Sequence, residues 1–295
     1  MSRRLRDSLL DEKMKILVEK VARDEAQRNS MRDAYNLIKE TAGERLPGSG
    51  ESYLERRLDS AYLVVEQMEG EYDDVAVALL GPAFVEGMIT AGAARDAAGK
   101  RAAKQIFALK SEAVKRVSDG AERSDFIEHQ LFSMLLDKYF GKILNRLPSF
   151  DKIPISDIYN FAKSMYNGKF DAASVMHFIF SLRAMELLSK ANAEVYAVAA
   201  AVCHEAVVNS ESALPHYFQE RAVGWPIRQC ANEVGFLERE CFGRLKKQYG
   251  PPDQDEAGRL ADILKTIRNR AAENAMLIPA LGVIAADRLC SLKPN

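Results

Sequence analysis

The side chains of this chain that bind metal ions most readily in proteins are its four histidines and four cysteines. A di-iron site in a helical bundle needs a glutamate three residues before a histidine, because that spacing places both ligands on one helix face. None of the histidines has one. Cys230 and Cys241 share a helix face but lie about 16 Å apart along it, too far to bind one ion. The sequence therefore predicts no metal and no cofactor, and leaves open a site made by Cys203, His204 and a distant cysteine.

A line of polar side chains follows the apolar segment 171–209, which is predicted to be one long helix. Glu194 and Glu205 are three helical turns apart, and Arg183 falls on the same stripe. Two carboxylates beside an arginine can form a groove in which an enzyme tunes its acid and base groups. A solvated helix face has the same pattern. Arg183, Glu194 and Glu205 are therefore a candidate polar groove.

The motifs of common enzyme classes are missing from the sequence. It contains no phosphate-binding loop, no G-x-G-x-x-G and no G-x-S-x-G. Asp73-Asp74 is followed by Val-Ala-Val, so it lacks the further carboxylates of an aspartate-rich Mg²⁺ motif. These absences favour a protein that is not an enzyme and leave open an enzyme of unfamiliar type.

Basic side chains are concentrated in the segment 95–116, where they outnumber the two acids, Asp96 and Glu112. Such a helix can neutralise the phosphates of a nucleic acid. Its one aromatic residue, Phe107, falls in the apolar stripe, so no platform for base stacking is visible. In the other interpretation, this face pairs with the acidic segment 66–74. The candidate phosphate contacts are Arg95, Lys100, Arg101, Lys104, Lys110, Lys115 and Arg116.

Small side chains recur every three or four residues after Gly81-Pro82. Proline suits the first turn of a helix, so one helix is predicted from this point to about Ser118. An uninterrupted stripe of alanine and glycine lets another helix backbone approach closely. We expect this stripe to be a contact surface for self-association or for a protein partner. Its members are Ala83, Gly87, Ala91, Ala94, Ala98 and Ala102.

The segment 75–94 holds one charged residue, Glu86, and approaches the length of a membrane-spanning helix. Gly81-Pro82 and the many alanines and glycines make it only weakly apolar. A tightly packed buried helix is therefore favoured over insertion into a membrane, and we do not expect a membrane partner.

The elements that position these residues are predicted to be helices. Apolar residues recur with a period near 3.6, and no run alternates as a strand would, which predicts an all-α multi-helix bundle. Three capping boxes mark helix starts. They are Ser52 with Glu55, Asp125 with Glu128, and Asp253 with Glu256.

Two prolines in a short polar stretch, Pro148 and Pro154, mark the predicted boundary between two regions. We expect an elongated N-terminal helical region over 1–146 and a more globular C-terminal helical bundle over 155–295. An interrupted heptad in the segment 5–45 predicts a coiled-coil contact there.

The 41 basic and 42 acidic residues nearly balance, so net charge gives no argument for nucleic acid or an anionic membrane. The N-terminus lacks the apolar core of a signal peptide, which predicts a cytoplasmic protein and leaves signal-less secretion open. We expect a non-enzymatic role in protein interaction, regulation or assembly, as an oligomer or with a protein partner. The alternatives are nucleic-acid binding by 95–116, an enzyme using the Arg183 groove, and a membrane-active protein inserting 75–94.

Overall fold

The all-α fold predicted from the sequence is confirmed, and no strand is present in the residues described here. The structure is a computed structural model. It describes residues 3–42, 52–116, 123–147, 152–165, 172–209, 224–237 and 274–291, and three isolated positions between 265 and 269.

The described part of the chain forms eleven helices. The first six are α1 (Arg3–Val21), α2 (Glu25–Ala42), α3 (Tyr53–Met68), α4 (Tyr72–Val85), α5 (Ala91–Arg116) and α6 (Arg123–Arg146). The other five are α7 (Lys152–Met165), α8 (Ala172–Lys190), α9 (Val195–Asn209), α10 (Gly224–Phe236) and α11 (Leu277–Ser291).

The chain divides into two compact units. The N-terminal unit comprises Met1–Gly141 with Gly168–Val175, and the C-terminal unit comprises Lys142–Asn167 with Met176–Asn295. The regions expected over 1–146 and 155–295, and their elongated and globular shapes, stay predictions.

The central helix of the N-terminal unit is α4. Every residue from Asp74 to Val85 is buried, and α4 packs against α2, α3 and α5. The sequence explains this position, because the segment is apolar on all sides and has no polar face to offer to water. Helix α1 packs on α2 and α3.

One of the three predicted capping boxes is confirmed at the start of α3. The Glu55 N–H donates to Ser52 Oγ at 3.2 Å, and the Ser52 N–H donates to the Glu55 carboxylate at 3.4 Å. These reciprocal bonds satisfy two donors that a helix start leaves open. The box predicted at Asp253 and Glu256 lies outside the described residues.

The C-terminal unit is built around α9, which packs against α7, α10 and α11. Residues 197–203 of α9 are all buried, and four of the seven are alanines. These small side chains allow neighbouring helices to approach closely. On α8, the buried Glu186 accepts ion-pair contacts from Arg146 at 2.6 Å and from Lys190 at 2.9 Å.

Candidate binding cleft

The turn between α1 and α2 is fixed by polar side chains. The Gln27 N–H donates to Asp24 Oδ1 at 2.8 Å, and the Arg23 N–H donates to Gln27 Oε1 at 2.8 Å. Because Asp24 caps the first turn of α2, the chain reverses here and leaves the Arg23 side chain exposed.

The start of α4 is fixed by Asp74, which is buried. Its Oδ2 accepts the Glu71 N–H at 3.0 Å, and its Oδ1 accepts Lys138 Nζ of α6 at 2.6 Å. This carboxylate therefore both caps α4 and joins it to α6. Helix α4 begins at Tyr72, directly after Glu71.

Helix α5 bends at Gly99, whose φ of 76° and ψ of 169° lie outside the helical region. Residues with a side chain rarely adopt this conformation. Apart from its neighbours along the chain, no atom lies within 4 Å of the position that a Cβ would take, so the glycine is required by its backbone and not by crowding. The next two residues are Lys100 and Arg101.

Ser30 of α2 holds the chain next to this bend. Its hydroxyl donates a hydrogen bond of 2.7 Å to the carbonyl oxygen of Ala97, two residues before Gly99. Burial raises the pKa of the Tyr72 hydroxyl at the start of α4, and the Ser30 hydroxyl opposes that change. Ser30 therefore joins α2 to α5 beside the start of α4.

These three segments surround a cleft of about 400 Å³, which we call the Gly99 cleft. Residues 20–23 and Gln27 come from the end of α1 and the start of α2, residues 70–73 from the start of α4, and residues 98–101 from the bend of α5. Four basic side chains line the cleft: Lys20, Arg23, Lys100 and Arg101.

Two of these basic side chains have acidic partners. Lys20 pairs with Glu66, and Arg101 Nε lies 3.4 Å from the carboxylate of Asp73. The Arg101 side chain is 87% exposed, so solvent weakens its attraction to Asp73. The Arg101 guanidinium is therefore easily redirected to another anion.

The other two basic side chains, Arg23 and Lys100, form no ion pair within the part of the chain that the structure describes. Both line the same cleft, together with the carboxylates of Glu71 and Asp73. Two unpaired cations around one cleft repel each other, and an anion bound between them would relieve that repulsion. The cleft can therefore hold an anionic group while remaining mixed in charge.

Two of the residues that shape this cleft, Lys100 and Arg101, belong to the predicted basic segment, whereas Lys20, Arg23 and Gly99 were not singled out by the sequence. Of these three residues, only Gly99 has a local signal in the sequence: a glycine inside an otherwise helical run indicates a special backbone position. Their convergence depends on the packing of α2, α4 and α5.

The other basic residues of 95–116 have different surroundings. Arg95 lies over the ring of Phe107 at 5.8 Å, and Lys110 Nζ lies over the ring of Phe84 at 4.4 Å. Both cations are therefore attracted by aromatic rings. Lys104 is exposed.

The last two members of the basic set, Lys115 and Arg116, belong to α5, but their side chains lie outside the described residues. Because Gly99 breaks the helical geometry of α5, Arg95 lies before the bend and the other six lie after it. The seven basic residues therefore do not follow one straight helix.

The helix start predicted at Gly81-Pro82 is wrong. Helix α4 begins at Tyr72 and contains Pro82 in its last turn. The reason is the upstream acidic cap at Glu71, which begins a helix ten residues earlier than the proline indicates.

The predicted continuous helix across Gly87 is also wrong. Gly87 has a φ of 82°, and its N–H donates to Phe84 O at 3.1 Å, while the Met88 N–H donates to Ala83 O at 2.9 Å. This pair of bonds is the Schellman motif that ends many helices, and it needs a left-handed residue. Thr90 then caps α5 by accepting the Ala93 N–H at 3.2 Å.

The alanine and glycine stripe is consequently divided between two packed helices. Its four buried members contact neighbours inside the N-terminal unit: Ala83, Ala94, Ala98 and Ala102. Gly87 and Ala91 are exposed. The stripe therefore does not form one continuous surface, and a partner contact through its exposed members stays a prediction.

The single helix predicted over 171–209 is wrong, because α8 ends at Lys190 and α9 begins at Val195. Asn192 has a φ of 55°, and the Ala193 N–H donates to Leu188 O at 3.0 Å. Asparagine is the residue that most often replaces glycine at this left-handed position.

The polar groove predicted on that helix therefore loses its geometric basis. Arg183 lies on α8 and is half-buried, whereas Glu194 is exposed in the turn before α9. The Glu205 side chain lies outside the described residues. An enzymatic role for Arg183, Glu194 and Glu205 stays a prediction without the shared helix face that motivated it.

The N-terminal unit buries an ion pair between Arg57 of α3 and Glu128 of α6. The Arg57 guanidinium also lies 5.3 Å from the centre of the Tyr53 ring. The helix start predicted at Asp125 is wrong, because α6 already begins at Arg123. Glu128, the predicted partner in that capping box, forms an ion pair with Arg57.

Two cysteines, Cys203 of α9 and Cys230 of α10, are buried in the C-terminal unit. Burial raises the pKa of each thiol to about 12, so both are neutral at physiological pH. The side chain of His204 lies outside the described residues. Elsewhere in the described ranges, no three His, Cys, Asp or Glu side chains are grouped to hold a metal ion.

The apolar segment 75–94 contains the buried part of α4, a turn and the start of α5. Within the residues described, none of the helices combines the length and the hydropathy needed to cross a membrane.

Comparison of the chain with protein-family models, with curated proteins and with solved structures finds no match.

Proposed function

We propose that this protein is a non-enzymatic α-helical protein of interaction, regulation or assembly, and that its Gly99 cleft binds an acidic segment of a protein partner. One observation carries the proposal. Basic side chains that are far apart in sequence, at residues 20–23 and 100–101, line a single cleft of about 400 Å³. A groove in which basic side chains outnumber acidic ones attracts partners of the opposite sign.

The charges of the cleft favour a protein segment over a dense polyanion. Arg23 and Lys100 are available to carboxylates, whereas Glu71 and Asp73 would repel closely spaced phosphates. A peptide with spaced acidic side chains and backbone N–H donors can satisfy both kinds of group.

The cleft is also held in place before a partner arrives. The hydrogen bonds of Ser30 and of Asp24 fix the turns that carry its basic residues. A preorganised site loses less entropy on binding, so modest electrostatic attraction yields measurable affinity.

The test uses the full chain and a fluorescent oligoglutamate peptide, with oligoglutamine as the uncharged probe, in a low-salt anisotropy titration. Lys100→Ala and Arg23→Ala should each weaken oligoglutamate binding by roughly three- to tenfold, because each removes one unpaired cation. Lys104→Ala is the matched control, since Lys104 is exposed on the same helix but does not line the cleft.

The proposal fails if oligoglutamate binds no better than oligoglutamine. It also fails if Lys104→Ala weakens binding as much as Lys100→Ala, because the attraction would then be a general property of α5.

Nucleic-acid binding is the second candidate function, and the observation that favours it is the exposed Lys104. It follows Lys100 and Arg101 on α5 and extends their positive surface beyond the cleft. This candidate expects a labelled single-stranded oligonucleotide to bind more tightly than oligoglutamate, with an affinity that falls steeply as salt increases. If Lys104→Ala and Lys100→Ala reduce oligonucleotide affinity equally, that result would favour nucleic-acid binding over binding of an acidic peptide.

A further inference from the structure

Two arginines reach the Gly99 cleft from different turns of the N-terminal unit. Arg23 follows the end of α1, and Arg101 follows the bend of α5. The planar guanidinium group donates two parallel hydrogen bonds, a geometry that matches phosphate oxygens as well as carboxylate oxygens. Lys20 and Lys100 add compact positive charges at the same cleft.

The formal charge of the cleft lining matches that of one particular anion. Four basic and two acidic side chains, the latter Glu71 and Asp73, give the lining a formal net charge of +2. A phosphate monoester carries about −1.5 to −2 at neutral pH, while a carboxylate carries a single negative charge. One monoester dianion would therefore balance the formal charge of the whole lining.

The space at the bend suits the approach of a tetrahedral group. Apart from the neighbours of Gly99 along the chain, no atom lies within 4 Å of the position that its Cβ would occupy. Glycine allows a ligand to come close to the backbone, as many phosphate-binding turns do. The carboxylates of Asp24 and Asp74 already accept hydrogen bonds from backbone N–H groups at the two nearby helix starts. The anion must therefore be recognised by the basic side chains of the cleft.

We propose that the Gly99 cleft recognises a phosphate monoester dianion. This inference rests on the proposed function of the same cleft and names the group within the acidic segment that it selects. The monoester is carried either by a phosphorylated residue of a protein partner or by a small phosphorylated molecule.

The experiment is a calorimetric titration of the full chain with three probes: an acidic peptide containing one phosphoserine, the same peptide with glutamate at that position, and free O-phosphoserine. The phosphoserine peptide should bind roughly tenfold more tightly than the glutamate peptide, because charge-assisted bonds to a dianion are stronger. Free O-phosphoserine binding as tightly as the peptide identifies a small-molecule source; much weaker binding identifies a protein source.

Two variants locate the recognition. Arg23→Lys keeps the charge but removes the guanidinium fork, so it should reduce the preference for phosphoserine over glutamate. Lys104→Ala should leave that preference unchanged. The preference should also shrink as the pH falls below about 6, where the phosphate becomes a monoanion and the glutamate stays ionised.

Three results would overturn the inference. Equal affinity for the two peptides would remove the phosphate preference while leaving the proposed function in place. Binding of neither peptide would remove both proposals. A preference that survives in the folded Arg23→Ala, Lys100→Ala double variant would place the site elsewhere.

Discussion

At the scale of single residues, the backbone of Gly99 decides where the basic side chains of α5 lie. Its φ of 76° and ψ of 169° form a conformation that is almost restricted to glycine, so any side chain there brings strain. Because the surrounding space is open, the cost of a substitution is conformational and not steric.

Gly99→Ala should therefore lower the free energy of unfolding by about 1–3 kcal/mol, or straighten α5 and weaken oligoglutamate binding. Urea unfolding and the anisotropy titration measure these two effects. The matched control is Gly92→Ala, which lies on the same helix at a φ outside the left-handed region and is exposed. That change should stabilise the protein by about 0.5–1 kcal/mol. Equal effects of the two substitutions would contradict this account of Gly99.

Arg57 and Arg56 both contact Glu128 but differ in burial. Arg57 is 1% exposed, whereas the Arg56 side chain is 31% exposed and its Nε lies 3.4 Å from Glu128. Arg57→Leu should destabilise the protein by about 3–5 kcal/mol, because it leaves Glu128 as a buried charge without its main partner. Arg56→Leu should cost less than about 1 kcal/mol. Similar melting temperatures for the two variants would show that the buried pair is not structurally important.

The buried thiols of Cys203 and Cys230 should resist alkylation in the folded protein. In the folded protein the pKa of each thiol is about 12, which is above its unfolded value. The contribution of the two thiols to the free energy of unfolding is therefore fully present at a pH below the unfolded pKa. That contribution is lost as the pH rises towards 12. Iodoacetamide labelling at pH 8 followed by mass spectrometry should modify both residues only after denaturant is added. Rapid labelling without denaturant would show that these thiols are accessible.

At the scale of helices, two boundaries that the sequence did not predict are set by residues in the left-handed conformation. Gly87 ends α4 and Asn192 ends α8, each through a Schellman pair of hydrogen bonds. Apolar periodicity continues across both positions, which is why the sequence predicts one helix where the chain forms two. The confirmed box at Ser52 and Glu55 is different, because its hydrogen bonds involve only residues that are neighbours in sequence.

Substitution of Asn192 tests this explanation of the α8–α9 break. Asn192→Ala should lower the free energy of unfolding by about 1–2 kcal/mol, since a Cβ disfavours the left-handed region. Asn192→Gly should leave stability unchanged or raise it slightly. Thermal unfolding followed by circular dichroism compares the two. A more stable alanine variant would indicate that α8 and α9 form a continuous helix in solution.

At the scale of the whole molecule, helix content was predictable and the cleft was not. The all-α fold follows from local signals that the sequence displays directly, namely apolar period, caps and the absence of strand patterns. The Gly99 cleft joins residues near positions 20, 70 and 100, which meet only because α2, α4 and α5 pack together. The sequence identified Lys100 and Arg101 by their charge but had no means of bringing Arg23 beside them.

Hydrogen–deuterium exchange of the full chain, measured with and without excess oligoglutamate, tests the central claim most directly. The account predicts slower exchange in the three segments that line the Gly99 cleft, 20–27, 70–73 and 98–101, because a bound acidic peptide covers them. It also predicts that Lys100→Ala reduces this protection and that Lys104→Ala does not. Protection confined to other segments, or no protection at saturating peptide, would contradict the claim that this cleft binds the partner.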